Sequence, residues 1–138
     1  MKVLITGSRD ASPQMLAKAV EVVVWCQQHG YTVLVGDAPG VDRAVRQACA
    51  RPQVTCLVYG AYDRVRDPTA GGSLMHRAFR SYPARDRCMA RQCDLCVAIW
   101  NGRSHGTQYT ADSVRSLSKR VIWRVWPAVS SSILPHTI

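Results

Sequence analysis

The chain has 138 residues, 47% hydrophobic and 20% charged, a balance that suits one compact domain and excludes a disordered or fibrous polypeptide. Eighteen basic residues against nine acidic ones leave a net charge of +9, and no run reaches the roughly 18 apolar residues of a membrane span. The opening MKVLITGSRD passes from a short apolar run straight into a turn, which is the pattern of a first strand rather than an export leader. A soluble, cytoplasmic domain over residues 1–126 is therefore expected, without a membrane partner, and with residues 127–138 as a loosely attached tail.

Lys2 to Thr6 (KVLIT) reads as a buried strand closed by Gly7-Ser8-Arg9-Asp10. Ser12 then offers an N-cap and Pro13 a first helical position. Leu16, Ala19, Val20, Val23 and Val24 recur at the spacing of one helix face, and His29-Gly30 ends the helix. Tyr31 to Val35 is the second strand, followed by Gly36-Asp37-Ala38-Pro39-Gly40. Val41 to about Arg51 reads as the second helix and Val54 to Tyr59 as the third strand. Gly60 to Pro83 is irregular, and a loop of that length in a compact domain is functional, mobile or hides a short element. A helix from Ala84 to Cys93 leads through Asp94 into a fourth strand, Leu95 to Trp100. Asn101 to Gly106 forms the next loop, Thr107 to Lys119 the next helix, and Arg120 to Trp126 a fifth strand stopped by Pro127.

Strands with nearly continuous apolar interiors, alternating with helices, specify an α/β protein with a parallel sheet covered on both faces. Right-handed crossovers make this a Rossmann-like, doubly wound sheet of about five strands. The expected order is 3-2-1-4-5, with 2-1-3-4-5 as the alternative. In the first order strands one and four are neighbours, and ligands bind beyond their carboxyl ends at the switch point.

Three glycine-bearing loops converge on that point: GSRD, GDAPG and NGRSHGT. Glycines let the backbone approach a ligand closely, and a following helix N-terminus offers free N–H groups to an anion. Gly7, Ser8 and Arg9 supply a turn, a hydroxyl and a guanidinium. Ser104, His105, Gly106 and Thr107 could wrap a phosphate with amides and hydroxyls. Gly36, Asp37, Ala38, Gly40 and Asp42 form the opposing rim, where the two carboxylates suit ribose hydroxyls. Trp100, at the end of the fourth strand, is placed either to stack on a base or to close the core.

Taken together, GSRD at 7–10, GDAPGVD at 36–42, ARDRCM at 84–89 and WNGRSHGT at 100–107 resemble the SLOG superfamily. This superfamily groups the LOG-type nucleotide phosphoribohydrolases, the Rossmann-like part of DNA-processing protein A, and stand-alone YspA/YpsA-like proteins (the DUF2493 group). The stand-alone group is most similar, over roughly residues 1–126. The resemblance implies a nucleotide-type ligand: a nucleoside monophosphate, an ADP-ribose or an NAD derivative. It also implies self-association as a dimer or higher homo-oligomer, with no further cofactor required. The family's GSR turn falls on Gly7, Ser8 and Arg9, and its GGA-x-GVD on Gly36, Ala38, Gly40 and Asp42, with Asp37 in place of the second glycine. Its RN-x-x-M falls on Arg85, Asp86 and Met89, with Asp for Asn, and its S-x-GT on Ser104, Gly106 and Thr107.

LOG-type hydrolases carry a catalytic glutamate three residues after the threonine of this last motif. Here Thr110 stands there, and Glu21 in the first helix is the only glutamate in the chain. An N-glycosidase of this type would have to use Asp42 or Asp86 as its catalytic carboxylate. With Arg85 and Arg87 beside it, Asp86 is expected to stay ionised. Three functions follow: a nucleotide sensor or binding module, a phosphoribohydrolase with a displaced carboxylate, and nucleic-acid binding through an arginine-rich face.

That face contains Arg64, Arg66, Arg77, Arg80, Arg85, Arg87 and Arg91. Arginine supplies 15 of the 18 basic residues, favouring phosphate or carboxylate forks over point charges. Interleaving aromatics are few (Tyr62, Phe79, Tyr82), which argues against a long stacking platform for single strands. Six cysteines lie mostly in apolar segments and read as packing residues. Cys93 and Cys96 form a single CxxC with no second pair, so no metal site is expected.

Overall fold

The strands are β1 (Lys2–Gly7), β2 (Thr32–Gly36), β3 (Cys56–Tyr59), β4 (Leu74–His76), β5 (Leu95–Trp100) and β6 (Arg120–Val125). The helices are α1 (Pro13–Gln28), α2 (Val41–Ala50), α3 (Tyr82–Gln92) and α4 (His105–Ser116). These come from a computed structural model that describes residues 1–50, 54–72 and 74–126. The tail expected at residues 127–138, with its Pro127 stop, lies outside them. All six strands pair in parallel in the order β4-β3-β2-β1-β5-β6.

Local chemistry sets the helix starts. Ser12 caps α1 by accepting the Met15 N–H at 3.3 Å, and Pro13 follows as expected. Ser81 repeats this for α3, accepting the Ala84 N–H at 3.2 Å, so α3 begins two residues ahead of the expected Ala84. α4 likewise begins at His105 rather than Thr107, and it ends at Ser116 rather than Lys119.

Alternate residues of each strand enter opposite cores. Val3, Ile5, Val33, Val35, Val97 and Ile99 pack against α1 and α2, chiefly Met15, Ala19, Val23, Val41 and Val45. Leu4, Leu34, Cys96, Ala98, Val121 and Trp123 face α3 and α4, where Met89, Ala90, Ala111 and Val114 meet them. Most of these side chains are fully enclosed, and each Val, Leu, Ile or Met contributes about 1.5–3 kcal/mol by leaving water. Cys26, Cys49, Cys56, Cys93 and Cys96 are buried thiols, and no disulfide joins any of the six cysteines. Among the described residues, no helix is long and apolar enough to cross a membrane.

The sheet has six strands, not five. The additional one, β4, is three residues long and lies inside the Gly60–Pro83 stretch, paired with β3 through Leu57↔Leu74 to Tyr59↔His76. Without it the order reduces to the expected 3-2-1-4-5. A strand of three residues is too short to carry a hydrophobic period. The segment around it is ordered mainly by Arg46, a fully buried guanidinium on α2. Its Nε donates to Gly71 O at 3.0 Å, its Nη1 to Arg66 O at 2.9 Å and its Nη2 to Asp67 O at 2.8 Å. A planar fork reaches three backbone carbonyls of the segment at once, of which Asp67 O also accepts the Ala70 N–H at 3.1 Å.

Arg46→Leu keeps the apolar stem and removes all three of these hydrogen bonds. The expected result is a loss of about 3 kcal/mol of unfolding free energy, read as a lower urea midpoint. An unchanged midpoint would show that the segment holds itself without the guanidinium.

Candidate functional site

The switch point lies between β1 and β5. From β1 the chain builds β2, β3 and β4 to one side, then returns to place β5 and β6 on the other. The loops after β1, β2 and β5 rise from this edge around a cleft of about 240 Å³. Thr6, Gly7 and Arg9 line it from the first loop, with Gly36, Ala38 and Asp42 from the second. Ser104, Gly106, Thr107 and Thr110 line it from α4, and Tyr82, Arg85, Asp86 and Met89 from α3. Arg66 reaches it from the long loop.

Ser8 stitches the three loops together from below. It is fully buried; its N–H donates to Ile99 O at 3.1 Å, and its carbonyl accepts the Val41 N–H at 3.2 Å. Its Oγ accepts the Asn101 N–H at 2.9 Å. Gly40 sits directly beneath the first loop with φ +81°, and a Cβ there would lie 2.4 Å from Arg9 O. Only glycine combines that dihedral with that approach. These two residues are placed to shape the site from outside its wall.

Asp37 is also behind the wall, with a side chain fully sequestered from water. Its Oδ2 accepts the Arg66 N–H at 2.7 Å. Its Oδ1 accepts Arg66 Nη2 at 2.8 Å and Arg85 Nη1 at 3.1 Å. Burial by itself raises this carboxyl, but the hydrogen bonds and charge of Arg66, joined by the charge of Arg85, hold it below the ordinary value. Arg85 donates further from Nη1 to Tyr59 O at 2.8 Å and from Nε to Asp86 Oδ1 at 2.6 Å. One guanidinium thus joins the ends of β2 and β3 to α3.

Asp42 and Asp86 form the acidic part of the cleft. Asp42 accepts the Ala38 N–H at 3.1 Å. Burial pushes its carboxyl up to about 7; Arg85 and the Ala38 N–H oppose this, while Asp86 and Asp37 add to it. Asp86 is also raised: burial outweighs Arg85 and a hydrogen bond from Thr110. Arg85 pairs with it and the charge of Arg66 also acts on it, while Arg87 is directed to Tyr109 Oη at 2.9 Å. The approach of Asp42 and Arg85 depends on Gly36, where a Cβ would stand 2.6 Å from Asp42 Oδ2 and 3.0 Å from Arg85 Nη1.

The opposite wall is the first turn of α4. Ser104 does not cap the helix; its Oγ lies 3.2 Å from Thr107 Oγ1. The amides of this turn have no intrahelical acceptor and carry the positive end of the helix dipole. Asn101 Oδ1 accepts the N–H groups of Arg103 at 2.9 Å and Ser104 at 3.0 Å, which fixes the loop entering the helix. Arg9 faces the cleft from an exposed position and forms no ion pair with the described residues. Trp100 lies off the wall: its Nε1 donates to Ser104 O at 2.9 Å and its ring packs 5.5 Å from Trp123. His105 is exposed at the helix start, also off the wall.

Arg66, Tyr82 and Thr110 were not among the sequence candidates for this site. Arg66 was legible only as one of a basic cluster, and Thr110 only as an absent glutamate. Tyr82 had as its signal the Ser81 cap that precedes it. Among the described residues, no group of three or more His, Cys, Asp or Glu side chains is placed to hold a metal ion.

No family model and no curated protein sequence matches the chain. Solved structures do. DNA processing protein A from Helicobacter pylori, described for its single-stranded DNA binding, matches at TM-score 0.73 and 19% identity, over 95% of this chain and 67% of its own. The molybdenum cofactor carrier protein of Chlamydomonas reinhardtii matches at TM-score 0.77 and 20% identity, over 91% and 78%. The molybdenum cofactor binding protein of Rippkaea orientalis matches at 0.77 and 18%, over 90% and 76%. At such identities the likeness is one of fold: a Rossmann-like α/β domain with a parallel sheet.

The Asp42 carboxyl gives a pH test. Its value near 4 in an unfolded chain rises to about 7 on folding, so ionising it opposes the folded state. Stability should fall as pH climbs from about 4 to about 7 and then level off. Asp42→Asn should shrink that decline by roughly 3–4 kcal/mol in denaturant titrations across the range. An identical pH profile in the two proteins would refute the assignment.

Proposed function

We propose that this domain binds a nucleotide or nucleotide-derived ligand at the cleft, as a sensor or binding module. Nucleoside monophosphates, ADP-ribose and NAD derivatives are the ligand class. The observation that carries this is the pairing of an α4 N-terminus without a side-chain cap with Arg9, which forms no ion pair among the described residues, across a small cleft. Free amides, the Ser104 and Thr107 hydroxyls and a guanidinium are the donors a phosphate requires. On the other side, Asp42 and Asp86 offer acceptors for sugar hydroxyls. Two of the structural neighbours are named for molybdenum cofactor and one for single-stranded DNA. A cleft of this size favours the small ligand. The motifs shared with the stand-alone YspA/YpsA-like group point the same way.

A second reading rests on Asp42. A buried carboxyl poised near neutrality inside a cleft is suited to proton transfer, so cleavage of an N-glycosidic bond is the enzymatic alternative. The cleft has no glutamate on its wall, and Thr110 occupies the relevant turn of α4 with its hydroxyl 3.0 Å from Gly106 O. Release of free base from a nucleoside monophosphate, lost in Asp42→Asn, would favour this alternative over a binding module.

Calorimetric titration with a nucleoside monophosphate tests the main reading. Saturable binding is expected, weakened about tenfold in Arg9→Ala, the scale of one charge-assisted hydrogen bond. The reading fails if monophosphates, ADP-ribose and NAD leave the melting temperature unchanged. Binding of a single-stranded oligonucleotide with steep salt dependence would then put the arginine-rich face in its place.

A further inference from the structure

Two consecutive residues at the tip of the Gly60–Pro83 segment, Tyr62 and Asp63, hold positive φ angles of 54° and 59°. They are the central pair of a two-residue hairpin closed by Ala61 N–H to Arg64 O at 3.1 Å and Arg64 N–H to Ala61 O at 3.0 Å. That turn normally takes Asn-Gly, and a bulky aromatic in the left-handed region is strained. The strain persists because the turn is pinned from outside: the Tyr62 N–H donates to Phe79 O at 2.9 Å and the Asp63 N–H to Arg77 O at 3.0 Å. The pinned turn holds a tyrosine that is 59% exposed, against Tyr82 with ring centroids 5.4 Å apart and planes at 85°. Tyr82 lines the cleft, with the Arg66 and Arg85 guanidinium carbons 4.4 and 4.9 Å from its ring centroid.

The geometry points to Tyr62 and Tyr82 as an aromatic rim that stacks the nucleobase, or a comparable planar heterocycle, of the ligand whose phosphate sits at α4. This rests on the nucleotide reading above and assigns its specificity. An edge-to-face pair leaves the exposed face of one ring free while the other ring fixes its orientation. The arginines around Tyr82 anchor that second ring, and the hairpin fixes the backbone of the first. A base stacked there meets a ring whose backbone and partner ring are already held, with little side-chain ordering left for binding to impose. The inherent strain at Tyr62 has no other role visible in the packing, since its ring is buried in neither core.

The test compares AMP with ribose 5-phosphate, which carries the phosphate and sugar without the base. Wild-type protein should bind AMP about tenfold more tightly than ribose 5-phosphate. Tyr62→Asn relieves the backbone, because asparagine tolerates the left-handed region. It should melt no lower than wild type, lose the preference for AMP, and bind ribose 5-phosphate as before. Tyr62→Phe should retain the preference. Equal preference in wild type and Tyr62→Asn would overturn the rim and leave the phosphate site standing. Parallel loss of both ligands in Tyr62→Asn would also overturn it, by making Tyr62 a structural residue. Failure of wild type to bind either ligand would overturn both the rim and the nucleotide reading.

Discussion

A carboxylate taken out of water must be paired, and at the end of β2 the buried Asp37 meets that demand with two arginines from separate segments. Arg66 comes from the long loop after β3 and Arg85 from α3, so one buried acid joins three parts of the chain. Arg85 in turn reaches Tyr59 O and Asp86, and Arg66 lies against Tyr82. Arg66 and Arg85, which line the cleft wall opposite α4, are therefore held by a residue that does not itself line the cleft. Asp37 goes with an arginine-rich loop that the acid can hold.

Three carboxylates lie within this small region, and their environments push them apart. Asp37 accepts from two guanidiniums and is held down, whereas Asp42 accepts one backbone amide and burial drives it up to about 7. Asp86 has one arginine partner and is raised by burial. The physical difference is the number of donors each carboxylate reaches after desolvation. Asp37 is consequently a structural anion, while Asp42 and Asp86 line the cleft.

The basic composition overstates the free surface charge. Arg46, Arg66 and Arg85 are spent on buried carbonyls and carboxylates, where a planar fork makes several bonds that a lysine could not. Arg9 remains available in the cleft. Arg64, Arg77, Arg80 and Arg91 remain exposed on the outer face.

Periodicity and punctuation in the chain were sufficient for the parallel α/β architecture and the Ser12 cap, and they left two orders of five strands, of which the structure has 3-2-1-4-5 with β4 added at the edge. Those features arise from local steric and burial preferences that a short window of residues expresses. The convergence of GSRD, GDAPG and NGRSHGT was also legible, because a doubly wound sheet brings its strand ends together once the order is known. Other features needed the tertiary structure. β4 exists through pairing with β3 and the ties from Arg46, neither of which has a local signature. Ser8, Gly40 and Asp37 were nominated to touch ligand, but their atoms are engaged beneath the wall; Arg66 and Tyr82 enter it from a segment without pattern. Which groups face a cleft depends on partners distant in sequence that satisfy each buried charge and carbonyl, and only the folded chain decides those partnerships.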